Sequence, residues 1–181
     1  MFEIIDDMPD DATPEAMVDA IALLKSDHRK VEDLFVQYEA SEEEDEKTTL
    51  AHQICTELKI HALIEEEIFY PALDGKIDVD LLEEAYVEHD GAKLLINDIE
   101  AGTAADDYYD AKVKVLSEEV KHHVKEEEMP DIGMFAQARA AGIDMIALGS
   151  ALKARKEELV AKADSEGLPP AKPTVITTAF A

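Results

Sequence analysis

Four stretches of this chain repeat an apolar residue every three or four positions, and each has a histidine near the centre of its stripe. That period is helical. Four such helices can bury their stripes only against one another, which narrows the fold to a bundle. The most demanding stretch is I-C-T-E-L-K-I-H-A-L-I-E-E-E-I-F-Y-P, residues 54–71. At about 100° per residue, His61 and Glu65 fall with the apolar stripe of Leu50, Ile54, Leu58 and Ile68 inside one sector of roughly 80°. An imidazole and a carboxylate therefore face the core together. Burying that pair uncompensated is costly, and a metal ion is the compensation that suits it best.

The other stretches supply matching residues. Thr13 and Pro14 read as the N-cap and first position of a helix running to about Ala40. Its stripe is Met17, Ile21, Leu24, His28, Val31 and Phe35. The second helix spans roughly Lys47 to Tyr70, with Pro71 as its stop. A third, roughly Val79 to Glu100, turns Leu82, Ala85, His89, Ala92 and Ile96 inward, with Lys93 close to that face. The fourth, about Ala105 to Met129 before Pro130, has Val113, Leu116, Val120 and Val124 inward, with His123 and Glu127 alongside them. His52 and His122 fall on outer faces, as do Glu66 and Glu67. The run P-D-I-G-M-F-A-Q-A-R reads as a loop before a fifth helical segment from about Ile143 to Ala163. An extended tail follows, containing Pro169, Pro170 and Pro173.

The expected fold is all-α: an up-down-up-down four-helix bundle with an additional C-terminal helix and extended tail. Residues 1–13 form an N-terminal arm, 14–135 the bundle, and 136–181 the C-terminal helix and tail. In such a bundle His28, His61, Glu65, His89, His123 and Glu127 converge on one axis. Any one of these histidines alone would read as an ordinary core residue; the joint pattern is what points to metal. Six donors are too many for one tetrahedral zinc and suit two bridged ions, since a carboxylate can span two ions while an imidazole terminates one. The donor set suits iron, with manganese or zinc as alternatives, and the lack of inward cysteine argues against iron–sulfur and thiolate zinc sites.

Charge excludes other functions. With 43 acidic and 17 basic residues the net charge is −26, a surface that repels phosphate backbones and anionic membranes. The N-terminus M-F-E-I-I-D-D lacks the basic residues of a signal peptide, and no apolar run approaches a membrane span. The reading is a cytoplasmic protein. The single Cys55 cannot form an internal disulfide and reads as a buried thiol.

The segments D-H-R-K-V-E-D-L-F around His28, H-A-L-I-E-E-E-I-F-Y-P from His61, E-H-D around His89 and H-H-V-K-E-E-E from His122 resemble, in order and spacing, the bacterial HHE cation-binding domains of the hemerythrin-like family. The resemblance covers roughly residues 17–135. It implies a non-haem di-iron site bridged by carboxylates and oxo or hydroxo, with His28 and His61 terminating one iron, His89 and His123 the other, and Glu65 and Glu127 bridging. Oxygen-carrying members have a second histidine one turn after the third-helix ligand; here that position is Lys93. The second iron is then one protein ligand short, which weighs against reversible oxygen carriage. The implied function is binding or reducing a small oxidant (O2, peroxide or nitric oxide), in oxidative or nitrosative sensing or stress defence. Alternatives are a di-iron oxidase or peroxidase, or a signalling module that engages a protein partner through the C-terminal segment.

Overall fold

The computed structural model describes residues 17–177. The expected arm and the Thr13–Pro14 helix start lie outside them. Among the described residues all regular structure is helical: α1 (Ala20–Ala40), α2 (Glu44–Ile64), a π-helical turn (Glu65–Phe69), α3 (Tyr70–Leu73), α4 (Val79–Glu100), α5 (Tyr109–Glu128), α6 (Met134–Ala140) and α7 (Met145–Glu166). The four-helix bundle consists of α1, α2 with its extension, α4 and α5. None of these helices is long and apolar enough to cross a membrane.

Several boundaries differ from the expected ones. Helix α1 begins at Ala20, because Asp19 accepts the Ala22 N–H at 3.0 Å and so provides an N-cap. Met17 is consequently 80% exposed and outside the stripe. Helix α5 begins at Tyr109, after Tyr108 takes a left-handed φ of 65°. The stretch after Pro130 is not all loop: Met134, Phe135 and Ala138 bury one face of the short α6. Pro71 does not end the second helix. It lacks an N–H, and its ring crowds the carbonyl four residues back. The chain absorbs this by widening into a π turn, in which the Tyr70 N–H reaches the Glu65 carbonyl, and then completes another helical turn.

The core is divided into two apolar clusters. One gathers Leu24, Ile64, Phe69, Leu73, Phe135 and Leu152; the other gathers Val31, Phe35, Ile54, Leu58, Ile96 and Leu116. Between them the same helices place a layer of buried polar residues. Cys55 lies in the second cluster at 1% exposure, and burial first, then the charge of Glu100, pushes its thiol pKa up to about 12.

Helix α7 packs across α1 and α2. At Gly149 it runs against the chain entering α1, where an added Cβ would stand 2.0 Å from the Val18 carbonyl oxygen and 2.7 Å from the Ala20 nitrogen. Backbone cannot yield there as a flexible side chain would. Gly149→Ala is expected to lower unfolding stability by about 2–3 kcal/mol, read from urea melts; a melt matching the parent would show that α7 does not seat on the start of α1.

After α7 the chain runs back over the bundle as a strap. Asn97 pairs with the Ala171 backbone through both its amide groups, each at 2.8 Å. The fully buried Asp90 accepts the backbone N–H groups of Thr174, Val175 and Ile176 at 2.6–2.7 Å.

Candidate metal centre

The six residues expected to converge do so, all within the polar layer and each at 8% exposure or less. Helix α1 supplies His28, α2 supplies His61, the π turn begins with Glu65, α4 supplies His89, and α5 supplies His123 and Glu127. Donor atoms of His28, His61, Glu65 and Glu127 lie within 4.8 Å of one another, as do those of Glu65, His89 and His123. Glu65 thus belongs to both groups, its Oε2 lying 3.2 Å from His61 Nε2 and 3.4 Å from His89 Nε2. Glu127 also reaches both sides, with Oε2 3.4 Å from His28 Nε2 and Oε1 3.6 Å from His123 Nε2.

Four carboxylates that the periodicity left outside the site hold the backs of the imidazoles. His28 Nδ1 lies 2.8 Å from Glu128, His89 Nδ1 2.9 Å from Glu66, and His123 Nδ1 2.8 Å from Glu88. His61 Nδ1 approaches Asp27 at 3.6 Å, just beyond hydrogen-bond range, and Lys156 of α7 pairs with the same carboxylate. The four pairs form a ring: α1 supports the histidine of α2, the π turn that of α4, α4 that of α5, and α5 that of α1.

Helix geometry explains this ring. A residue adjacent in sequence to an inward one lies about 100° round the helix, at the seam with a neighbouring helix rather than in solvent. Reversing a right-handed helix reverses its sense of rotation about the bundle axis. The residue before the ligand on α1 and α4 therefore turns the same way as the residue after the ligand on the antiparallel partners. Glu66, expected to face away, is placed by this rule against His89. The readable signal was an acidic residue beside one inward ligand on each helix: Asp27 before His28, Glu66 after Glu65, Glu88 before His89, Glu128 after Glu127.

With each Nδ1 facing a carboxylate, its hydrogen belongs on that side and the lone pair on Nε2. Yet the Nε2 atoms of His28 and His61 stand 3.1 Å apart, as do those of His89 and His123. Two lone pairs at that distance repel unless a proton or cation lies between them. Nitrogen donors about 2.1 Å from one ion and at right angles are separated by about 3.0 Å. Glu65 Oε1 and Glu127 Oε2 are buried without a hydrogen-bond partner. The residues present therefore fit a pair of cations. Without cations, protons do the balancing. Burial opposes charging of His61 and His89, but Glu65 with Asp27, and Glu65 with Glu66, outweigh it and raise the two imidazole pKa values to about 10 and about 9.

Tyr70, expected only as the last residue of the second helix, also enters the site. It is fully buried, and its hydroxyl lies 3.2 Å from His89 Nε2 and Glu127 Oε1 and 3.4 Å from His123 Nε2 and Glu65 Oε2. In an α-helix Tyr70 would sit about 140° from Glu65; at about 4.4 residues per π turn the angle falls to about 50°. The π turn thus brings both onto one face. Lys93 is also buried, but its ammonium is held by Glu66 at 2.7 Å and Asp90 at 3.0 Å, with Thr174 of the strap at 2.9 Å.

The hemerythrin HHE cation-binding domain family matches residues 19–134, which include all six converging residues and all four supporting carboxylates. The chain belongs to this family. Hemerythrin-like chains are cation-binding proteins, and the donor clusters described above suit that role. A solved structure of an HHE cation-binding domain-containing protein from Mycobacterium kansasii superimposes with a TM-score of 0.66 at 23% identity, covering 84% of this chain and 96% of that one. At that identity the likeness speaks to the fold. A protein named DNA nickase from Nostoc sp. (strain PCC 7120) is 29% identical over 106 residues, which are 59% of this chain but only 30% of the relative.

His52 and His122 lie off the polar layer. His122 is exposed, near Glu126 at 3.2 Å and Glu88 at 3.4 Å. His52 is half-buried, because the 101–108 loop folds over that face of α2 and donates its Ala104 N–H to Thr48 one turn earlier. The variant His122→Ala is expected to retain the parent's tightly held metal and His123→Ala to lose at least half of it, measured by elemental analysis after dialysis. The reverse outcome would place the wrong histidine of the pair in the site.

Proposed function

We propose that the chain is a non-haem di-iron protein that binds or reduces a small oxidant, O2, peroxide or nitric oxide, in sensing or stress defence. The observation that carries this reading is the pair of imidazole couples with Nε2 atoms 3.1 Å apart, both reached by the buried carboxylates Glu65 and Glu127. That donor set, without thiolate, suits iron, with manganese or zinc as alternatives. When bound, two such ions supply electrons and open coordination positions for a small ligand. In this reading His28 and His61 hold one ion and His89 and His123 the other. Glu65 and Glu127, each near both couples, would serve both ions. The Tyr70 hydroxyl, near His89, His123 and Glu127, would be the further donor on that side in place of the lysine at 93, whose ammonium is committed to Glu66 and Asp90.

A second reading is favoured by one specific arrangement: two of the supporting carboxylates also hold the C-terminal elements. Asp27 is shared between His61 and Lys156 of α7, and Glu66 between His89 and Thr174 of the strap. A change at the histidines would be felt by α7 and the strap, as a metal-dependent interaction module requires. DNA nicking does not extend to this chain in our reading, because a net charge of −26 opposes binding to a phosphate backbone.

The test is elemental analysis of the purified protein with absorption spectra before and after O2, peroxide and nitric oxide. Two irons per chain and a spectral change with at least one of the three are expected. Protein that retains no iron, or whose spectrum is indifferent to all three, would overturn the reading. Hydrogen exchange across residues 168–176, with and without metal, checks the second reading; identical protection in both states would remove it.

A further inference from the structure

The polar layer opens on one side into a cavity of about 500 Å³. Its floor includes the rings of His28, His61, His89 and His123. Its walls are apolar and come from all four bundle helices: Val31, Leu58, Ala92, Ile96, Val120 and Val124. The outer side is closed by the strap, through Leu168, Pro169, Pro170 and Ala171. These strap residues lie beyond the matched family region, which ends at residue 134.

The size does not match the small oxidants considered above. A water molecule takes up about 30 Å³, and O2, peroxide and nitric oxide are of that order. The cavity instead falls within the roughly 300–1,000 Å³ of sites that enclose organic molecules. Its buried charges are already committed, and of the other charged lining residues Glu119 and Lys172, both exposed, form no ion pair among the described residues. Lys59 Nζ is held by both Glu100 oxygens, at 2.8 and 2.9 Å, and by the Leu168 carbonyl. Lys93 is held by Glu66 and Asp90. Of the carboxylates on the wall, Asp27 is paired with Lys156, Glu66 with Lys93 and His89, and Glu88 with His123. An ionic ligand would find no buried counter-charge free to receive it, since Glu119 and Lys172 face solvent, and would enter at a heavy desolvation cost. A neutral apolar one would gain from each wall it covered.

We propose that this cavity is a binding site for a neutral, largely apolar organic molecule, enclosed by the strap and resting on the histidines of the polar layer. That the molecule would lie beside metal ions rests on the reading above; the cavity and its chemistry do not.

The probe is N-phenyl-1-naphthylamine, a neutral two-ring amine that brightens when removed from water. It is titrated into the full chain in metal-free and metal-loaded form, with metal content measured separately. Saturable binding of one probe per chain is expected, together with intermolecular NOEs in the metal-free protein to the methyl groups of Val31, Ala92 and Val120. Ala92→Phe and Val120→Phe fill the cavity from different helices, and each is expected to weaken binding by on the order of tenfold, about 1.4 kcal/mol. Absence of saturable binding to the parent would overturn the proposal, as would NOEs confined to other parts of the molecule. Unchanged affinity in both variants, with parental helicity and melting, would do the same. Should either variant fail to fold, the NOEs on the parent decide. Probe binding by protein that retains no iron would leave the cavity assigned and the di-iron reading overturned.

Discussion

Glu65→Ala is expected to yield protein that holds neither ion and whose metal-free form is less stable by roughly 3–5 kcal/mol. Glu65 is fully buried and stands between His61 and His89, a member of both donor groups. Burial works against its charge, yet the two imidazoles outweigh that and hold its carboxyl pKa well below the ordinary value. Its removal leaves two histidines facing each other's environment without the central anion. In the proposed di-iron reading metal would not restore the balance, because both ions would lose a shared carboxylate. Elemental analysis reads the first effect and a urea melt of chelator-treated protein the second. Retention of two ions would show that Glu65 does not span them.

Tyr70→Phe separates a ligand from a packing residue more cleanly, since it deletes one oxygen and keeps the ring. The expected result is one tightly held ion in place of two, with affinity for the weaker one reduced by about 10–100-fold in chelator competition. In the iron(III) form an absorption band from phenolate to iron is expected in the parent and absent from the variant. Burial and the charges of Glu127 and Glu65 raise the phenol pKa well above its ordinary value when no cation is present. The metal-free protein therefore keeps the hydroxyl as a hydrogen-bond donor, and cations in the site favour losing its proton. Unchanged retention and an unchanged spectrum would return Tyr70 to the apolar core.

The two variants also separate what could be read from the residues from what could not. His28, His61, Glu65, His89, His123 and Glu127 were legible because each keeps helical phase with an apolar stripe, and phase is a local property. Tyr70 was not, because of the backbone between it and Glu65. A period of 3.6 residues was assumed through Pro71, whereas the proline forces a wider turn just before it. The angle accumulated across that turn decides whether Tyr70 faces the site or the bundle surface. Asp27, Glu66, Glu88 and Glu128 were missed differently. Their phase was clear, but a position 100° from the axis faces solvent on an isolated helix and a neighbour's histidine in a bundle. Lys93 shows the complementary case: the missing histidine was visible in the residue type, while the carboxylates that hold its ammonium lie on the π turn and on α4.

The sequence by itself determined the class of fold and the inward donor set, because amphipathic period and residue chemistry are properties of each helix alone. Tertiary structure decided the ring of supporting carboxylates, the place of Tyr70, and the strap that closes the cavity. Each of these depends on which helix lies across a seam or which backbone N–H groups a buried carboxylate such as Asp90 captures. Those are relations between segments far apart in the chain, and no local periodicity encodes them.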